Sequence, residues 1–184
     1  MKNAGAKNGN DQIEDVTQFA TRAVSIGGRS KQLLLGDLAV AGVELNDAAR
    51  LLFASEKFTT LSTRQSIVAI ELTPRQLGFA QGATTLALHA KAIALGLRLA
   101  PLELGPHLRL QHLDQPEGYW DFPVTEHRAP PGSIRVASAP LSADDEFPKG
   151  FYLRRIKGTL WLRGYWCSDA NLWEADDRLI FCKA

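Results

Sequence analysis

Cysteine is scarce in this chain. Two occur in 184 residues, Cys167 and Cys182. They lack a Cys-x-x-Cys spacing, which argues against a thiolate zinc site or a dithiol redox motif. The opening residues, MKNAGAKNGNDQ, lack the apolar core of a secretory signal. Free thiols in a reducing cytoplasm are therefore expected, with a Cys167–Cys182 disulfide as the alternative for an exported chain. No apolar run approaches the length of a membrane span, so no membrane partner is expected. An excess of charge is missing too: the net charge is +1 and the sequence pI about 7.8. That gives no global basic field for nucleic acid and no acidic excess typical of a disordered chain. The chain has no Gly-Lys-Ser/Thr phosphate loop, dinucleotide fingerprint, Gly-x-Ser-x-Gly or His-Glu-x-x-His. No cofactor and no metal is implied.

What is present supports one core, since 45% of the residues are hydrophobic. The densest pattern lies between Phe147 and Cys182, which holds Trp161, Trp166, Trp173, Tyr152, Tyr165 and both cysteines. Gly150–Ile156 and Thr159–Tyr165 read as strands joined by a Lys157-Gly158 turn, with glycine supplying positive φ. On the second arm Leu160 and Leu162 point one way, and Trp161, Arg163 and Tyr165 the other. Residues 167–177 read as a loop pinned by Trp173. Arg178–Cys182 reads as a last strand paired inside the sheet, because a free end would expose Leu179, Ile180 and Phe181.

Residues 1–12 read as a flexible tail. The apolar spacing of Ile13–Val24 predicts a short amphipathic helix, ended by Gly27-Gly28. Lys31–Val43 fits a strand pair or a short helix. Asn46 caps a helix from Asp47 to Phe53. Ser66–Leu72 is the best N-terminal strand, and Thr73-Pro74 starts a new element. Thr84 caps a helix from Thr85 to Leu95, with Leu86, Ala90, Ile93 and Ala94 on one face. His107–Leu113 alternates like a strand. Residues 114–132 and 140–148 read as loops around a short strand at Ser133–Ser138. The order predicts an α+β fold: N-terminal helices followed by a mostly antiparallel sheet. Residues 13–65 form a helical N-terminal extension and 66–184 the α+β domain.

From Glu71 onward, LELGPHLRLQ, DQPEG, FYLRR and LWLRGY resemble a family of small uncharacterised bacterial proteins, across about one domain. That resemblance implies no known activity. Helices followed by a Trp-containing sheet that ends in Leu-Ile-Phe-Cys-Lys also resemble C-type-lectin-like domains. This second resemblance implies a ligand loop between Trp166 and Arg178, although neither a disulfide framework nor a Glu-Pro-Asn calcium motif is present.

Three clusters carry chemistry. His107, His112 and His127 lie near Asp114, Glu117, Asp121 and Glu126, a set able to support acid–base work or metal binding. They also read as loop residues and one strand histidine. Asp144, Asp145 and Glu146, like Asp176-Asp177, read as solvated loop charges rather than a cation site. Arg109, Arg135, Arg154, Arg155, Lys157 and Arg163 fall on predicted strands or at the turn, interleaved with aromatics. They suit a stacking platform or a clamp for phosphate or carboxylate. The plainer alternative is a sheet whose arginines reach water and whose aromatics fill the core. The expected binding set is Arg109, Arg154, Arg155, Trp161, Arg163, Tyr165, Trp166 and Trp173. The expected function is a non-enzymatic cytoplasmic binding or protein-interaction module using this face. Its partner would be a protein or a small ligand, and a homo-oligomer stays open. The alternatives are a hydrolase using the His/carboxylate loops, or a single-stranded nucleic-acid binder.

Overall fold

A computed structural model describes residues 19–118, 130–168 and 170–184. The predicted tail and residues 13–18 of the predicted first helix lie outside them. From Ala20 onward that stretch is extended: β1 (Ala20–Ile26) pairs antiparallel with β3 (Gln65–Leu72) from Ala20–Glu71 to Ile26–Gln65. A full run of cross-strand hydrogen bonds outweighs a weak helical spacing. Val24 and Ile26, two apart, are the side chains β1 buries.

Lys31–Val43 resolves into α1 (Lys31–Val40), capped by Ser30, and β2 (Val43–Leu45). α2 (Asp47–Ala54) starts as expected, with Asn46 Oδ1 accepting from Ala49 N at 3.1 Å. After β3, Thr73-Pro74 opens a series of turns rather than a helix. A two-residue strand, β4 (Ala83–Thr84), leads into α3 (Thr85–Ala94), where Thr84 caps Ala87. The face of α3 carrying Leu86, Ala90, Ile93 and Ala94 is exposed; Leu88 and Ala92 are its buried residues.

β5 (Leu97–Arg98) precedes α4 (Leu104–Gln111), a helix where alternation predicted a strand. Leu104 and Leu108, one turn apart, are both buried, and Pro106 lies in the first turn, where its missing N–H is tolerated. α4 packs on β1, α1 and the later hairpin. Gly105 lets it approach closely, since a Cβ there would stand 2.8 Å from the Phe151 ring.

Four strands then carry the fold to its end, with a short one between the last two. β6 (Ile134–Val136) is followed by β7 (Gly150–Ile156) and β8 (Thr159–Tyr165). The β7–β8 hairpin turns at Lys157 and Gly158, with φ of 49° and 77°. β9 (Leu172–Trp173) pairs with β4, and β10 (Arg178–Lys183) enters the main sheet. Among the described residues that sheet runs β1-β3-β10-β6-β7-β8-β2, with β5 also on β10.

The fold is α+β, but the sheet is mixed rather than mostly antiparallel. β10 runs parallel to β6, and β2 parallel to β8. The helices are also interspersed among the strands. The cause is that β10, the last strand, is inserted centrally, so its neighbours come from distant segments. Its side chains alternate between two cores. Ile180 and Cys182 join the core containing Val24, Leu52, Phe151 and Leu162; Leu179 and Phe181 join the one containing Ile70, Leu88 and Trp173. α1, α2 and α4 lie over the first face. α3 and the β4–β9 pair lie over part of the second.

Candidate functional site

Register builds a site on the second face. Arg135 on β6 lies opposite Tyr152 on β7, and Tyr152 lies opposite Arg163 on β8. The flanking residues Ile134, Val136, Leu153 and Leu162 point into the first core, so this row faces the other way. Tyr165 is two residues beyond Arg163 on the same face. α2 anchors β8 from behind: Asn46 Oδ1 accepts from Gly164 N at 2.8 Å, and Asn46 Nδ2 donates to Gly164 O at 3.0 Å. The contact requires glycine, because a Cβ on Gly164 would lie 2.5 Å from the Ala48 carbonyl carbon.

A cavity of about 260 Å³ opens over this row. It is lined by Arg135, Tyr152, Arg163, Tyr165, Trp166 and Trp173, with Pro130, Ser133, Asn46, Gly164, Cys167 and Asn171. Trp173 is fixed by its Nε1, which donates to Thr85 Oγ1 at 2.7 Å.

Arg135 is 3% exposed. Its guanidinium carbon sits 3.9 Å from the Trp173 ring centre and 5.6 Å from that of Tyr165. The two rings meet edge to face at 88°, so the cation occupies an aromatic corner. Nη1 reaches Thr85 Oγ1 at 3.5 Å, while Nε and Nη2 are buried with no hydrogen-bond partner among the described residues. A buried donor without an acceptor is costly.

Arg163 stacks on Trp161 at 5.2 Å and hydrogen-bonds Tyr152. Its Nε is likewise buried and unpartnered. Burial pushes the hydroxyls of both tyrosines up, opposed at Tyr152 chiefly by Arg163 and at Tyr165 by Arg135. Asp177 lies within electrostatic reach of Arg135. Burial pushes its carboxyl up to about 6, against a hydrogen bond from Glu174 N and the pull of Arg135. His89 on α3 is pushed down to about 4 by burial and by Arg135, so it stays neutral and adds no charge.

The expected binding set divides between the two faces. Arg163, Tyr165, Trp166 and Trp173 line the cavity; Trp161 and Arg154 share its face farther along the hairpin. Arg109 and Arg155 lie on the other face. Arg109 is on α4 rather than a strand, fully buried, and donates to Gln115 Oε1 at 2.5 Å and to the His112 carbonyl. Burial pulls its guanidinium down to about 10, with Asp114 raising it and Arg155 lowering it further. Arg155 donates to Gln115 O at 3.4 Å and stands 3.6 Å from Glu117. Missing from the expected set were Arg135 itself, Tyr152 and Ser133. The signal for Arg135 was its place between Ile134 and Val136, which turns it away from their core.

The other clusters are largely committed to the fold. His107 Nε2 accepts from Gly27 N at 3.1 Å, and burial lowers its pKa. Glu103, 3% exposed, accepts from Leu61 N. His112 Nδ1 lies 2.8 Å from Asp114. His127, Asp121 and Glu126 lie outside the described residues, as does most of the predicted 114–132 loop. Lys149 Nζ bonds the carbonyls of Ala143 and Asp144 and stands 3.0 Å from Asp145, which places a cation of the chain within the acidic run. Arg75 pairs with Asp176 at 2.9 Å. Among the described residues, no three His, Cys, Asp or Glu side chains cluster as a metal site, and no helix is long and apolar enough to cross a membrane.

The chain matches no family model, no curated protein and no solved structure.

Proposed function

We propose that this protein is a non-enzymatic binding module that captures a small ligand in the cavity over β6, β7 and β8. One observation carries the reading: Arg135 is buried in an aromatic corner that lines the cavity, with Nε and Nη2 unpartnered. A fold that removes a guanidinium from water and leaves donors idle bears a cost that a bound acceptor would offset. The cavity lies just below the ~300–1,000 Å³ range of pockets for drug-sized molecules, which suits a small ligand better than a protein segment.

An open platform for single-stranded nucleic acid receives less support. Trp173 is buried and Tyr152 and Tyr165 are largely so, while Trp166 is 49% exposed. A cytoplasmic site of action, the kinship with small bacterial proteins and the C-type-lectin-like arrangement are proposals of the same standing. The third is supported by β10, the last strand, entering the main sheet after the Trp173-bearing β9.

Thermal-shift screening of the full chain against small anions, cations and neutral compounds tests the reading. Binders should stabilise the wild type, and Arg163→Ala and Trp173→Phe should weaken that response while circular dichroism stays native. A response unchanged in both folded variants would place binding elsewhere and contradict the proposal.

A further inference from the structure

The geometry points to a monocarboxylate with a flat apolar body as the ligand, its two oxygens held side-on by Nε and Nη2 of Arg135. This inference rests on the binding-module reading above and adds the chemical class.

The shape of the unpartnered edge is the first argument. Trp173 and Tyr165 occupy the space beside the guanidinium face, and Nη1 is turned to Thr85. What is left is the Nε/Nη2 edge, where two N–H groups point in parallel. That spacing matches the two oxygens of a carboxylate, giving a bidentate pair of charge-assisted bonds. A single-point acceptor such as a hydroxyl would leave one buried donor idle.

Charge is the second argument. Arg135 and Arg163 bring two positive charges to the cavity, and Asp177 beside Arg135 brings one negative charge at neutral pH. His89 is neutral there, Arg154 lies farther along the face outside the cavity lining, Asp176 is paired with Arg75, and Glu174 is exposed to solvent. The balance is one positive charge, which one carboxylate neutralises. A phosphate dianion would overshoot it and would be repelled by Asp177.

The remaining walls set the body of the ligand. Tyr152 and Trp166 bound the cavity beyond the guanidinium, and its volume of about 260 Å³ admits a single ring or short chain. Rings and flat apolar groups pack well between aromatic walls.

Calorimetric titration of the full chain with benzoate, benzamide and inorganic phosphate tests the assignment, using wild type, Arg135→Met and Arg135→Lys. Benzoate should bind the wild type, with benzamide at least tenfold weaker and phosphate giving no saturable heat. Benzoate affinity should fall at least tenfold in Arg135→Met. It should fall similarly in Arg135→Lys, which keeps the charge and loses the fork. Arg135→Lys also carries the test if the methionine variant does not fold. Phosphate binding that is tighter than benzoate and lost in the Arg135 variants would overturn the carboxylate class and leave the binding module standing. Benzoate binding that is unchanged in a folded Arg135 variant, or no saturable heat from benzoate, would overturn the carboxylate assignment, while the binding module itself stands or falls with the thermal-shift screen.

Discussion

Arg109 and Arg135 are both withdrawn from water, one on each face of the same sheet, and their surroundings differ. Arg109 belongs to α4, where Gln115 and the carbonyl of His112 take its Nη1 and Nη2 donors and only Nε lacks a partner among the described residues. Gln115 extends that network through Nε2 to Gly132 O at 2.9 Å and Leu153 O at 3.3 Å. Arg135 lines a cavity, has aromatic rings against it, and keeps Nε and Nη2 buried without a partner among the described residues. The first arginine ties a loop to a helix; the second keeps two donors without a partner among the described residues. Burial alone does not separate a structural cation from a binding one. The fate of its donors does.

Stability should divide the pair most sharply. Arg109→Ala strips donors from a buried network, leaving Gln115 Oε1 and the His112 carbonyl without them, and should cost about 3–5 kcal/mol in urea unfolding. Arg135→Met removes a buried charge whose one hydrogen bond is the long contact from Nη1 to Thr85 Oγ1 among the described residues. Its effect should lie between neutral and a gain of about 1 kcal/mol, as for buried ions replaced by apolar side chains. Equal losses in the two variants would erase the distinction.

A smaller effect follows from Asp177. Its carboxyl is raised from an ordinary 3.8 to about 6 by burial, so the folded state holds this proton more tightly than the unfolded chain. The stability it contributes is complete below about pH 4 and is lost as pH rises through 6. Asp177→Asn should therefore match the wild type near pH 4 and exceed it by about 1 kcal/mol at pH 7, after discounting for partial exposure. Equal unfolding free energies of the two chains at both pH values would contradict this. Asp177 faces Arg135, Glu174 and Asp176. Its protonation therefore removes a negative charge near the anchor, and benzoate affinity should rise severalfold from pH 7.5 to 5.5 by calorimetry. A fall over that range would break the charge argument.

The elements legible in the sequence are those fixed by local chemistry. Lys157-Gly158 sets its own hairpin through positive φ, and Asn46 and Thr84 cap their helices with side chains three residues from the donors they satisfy. The misread elements are those decided at long range. α4 is buried on nearly every side, so its leucines show no helical face and their accidental alternation imitates a strand. β1 becomes a strand because β3, some 45 residues later, supplies its hydrogen bonds. The exposed face of α3 reads as a core face because nothing in its own sequence marks which side meets the sheet.

The candidate site follows the same division. The side to which Trp161, Arg163 and Tyr165 point was readable from alternation, and Trp173 was readable as an anchor. Arg135 could be placed among strand cations, but its corner is built from Thr85, Tyr165 and Trp173, and no local pattern brings them together. Arg109 looked equivalent because the helix that carries it read as a strand, which hid its approach to His112 and to Gln115 in the loop beyond.

The side-chain Nε–H resonances of the arginines test the central claim most directly. In nitrogen–proton correlation spectra, with assignments made from Arg135→Lys and Arg109→Lys, benzoate is titrated into the full chain. The Arg135 Nε–H should move downfield and become protected from solvent exchange in step with binding, while the Arg109 Nε–H stays in place. A stationary Arg135 signal at saturating benzoate, or equal movement of both, would contradict the assignment of Arg135 as the anchor.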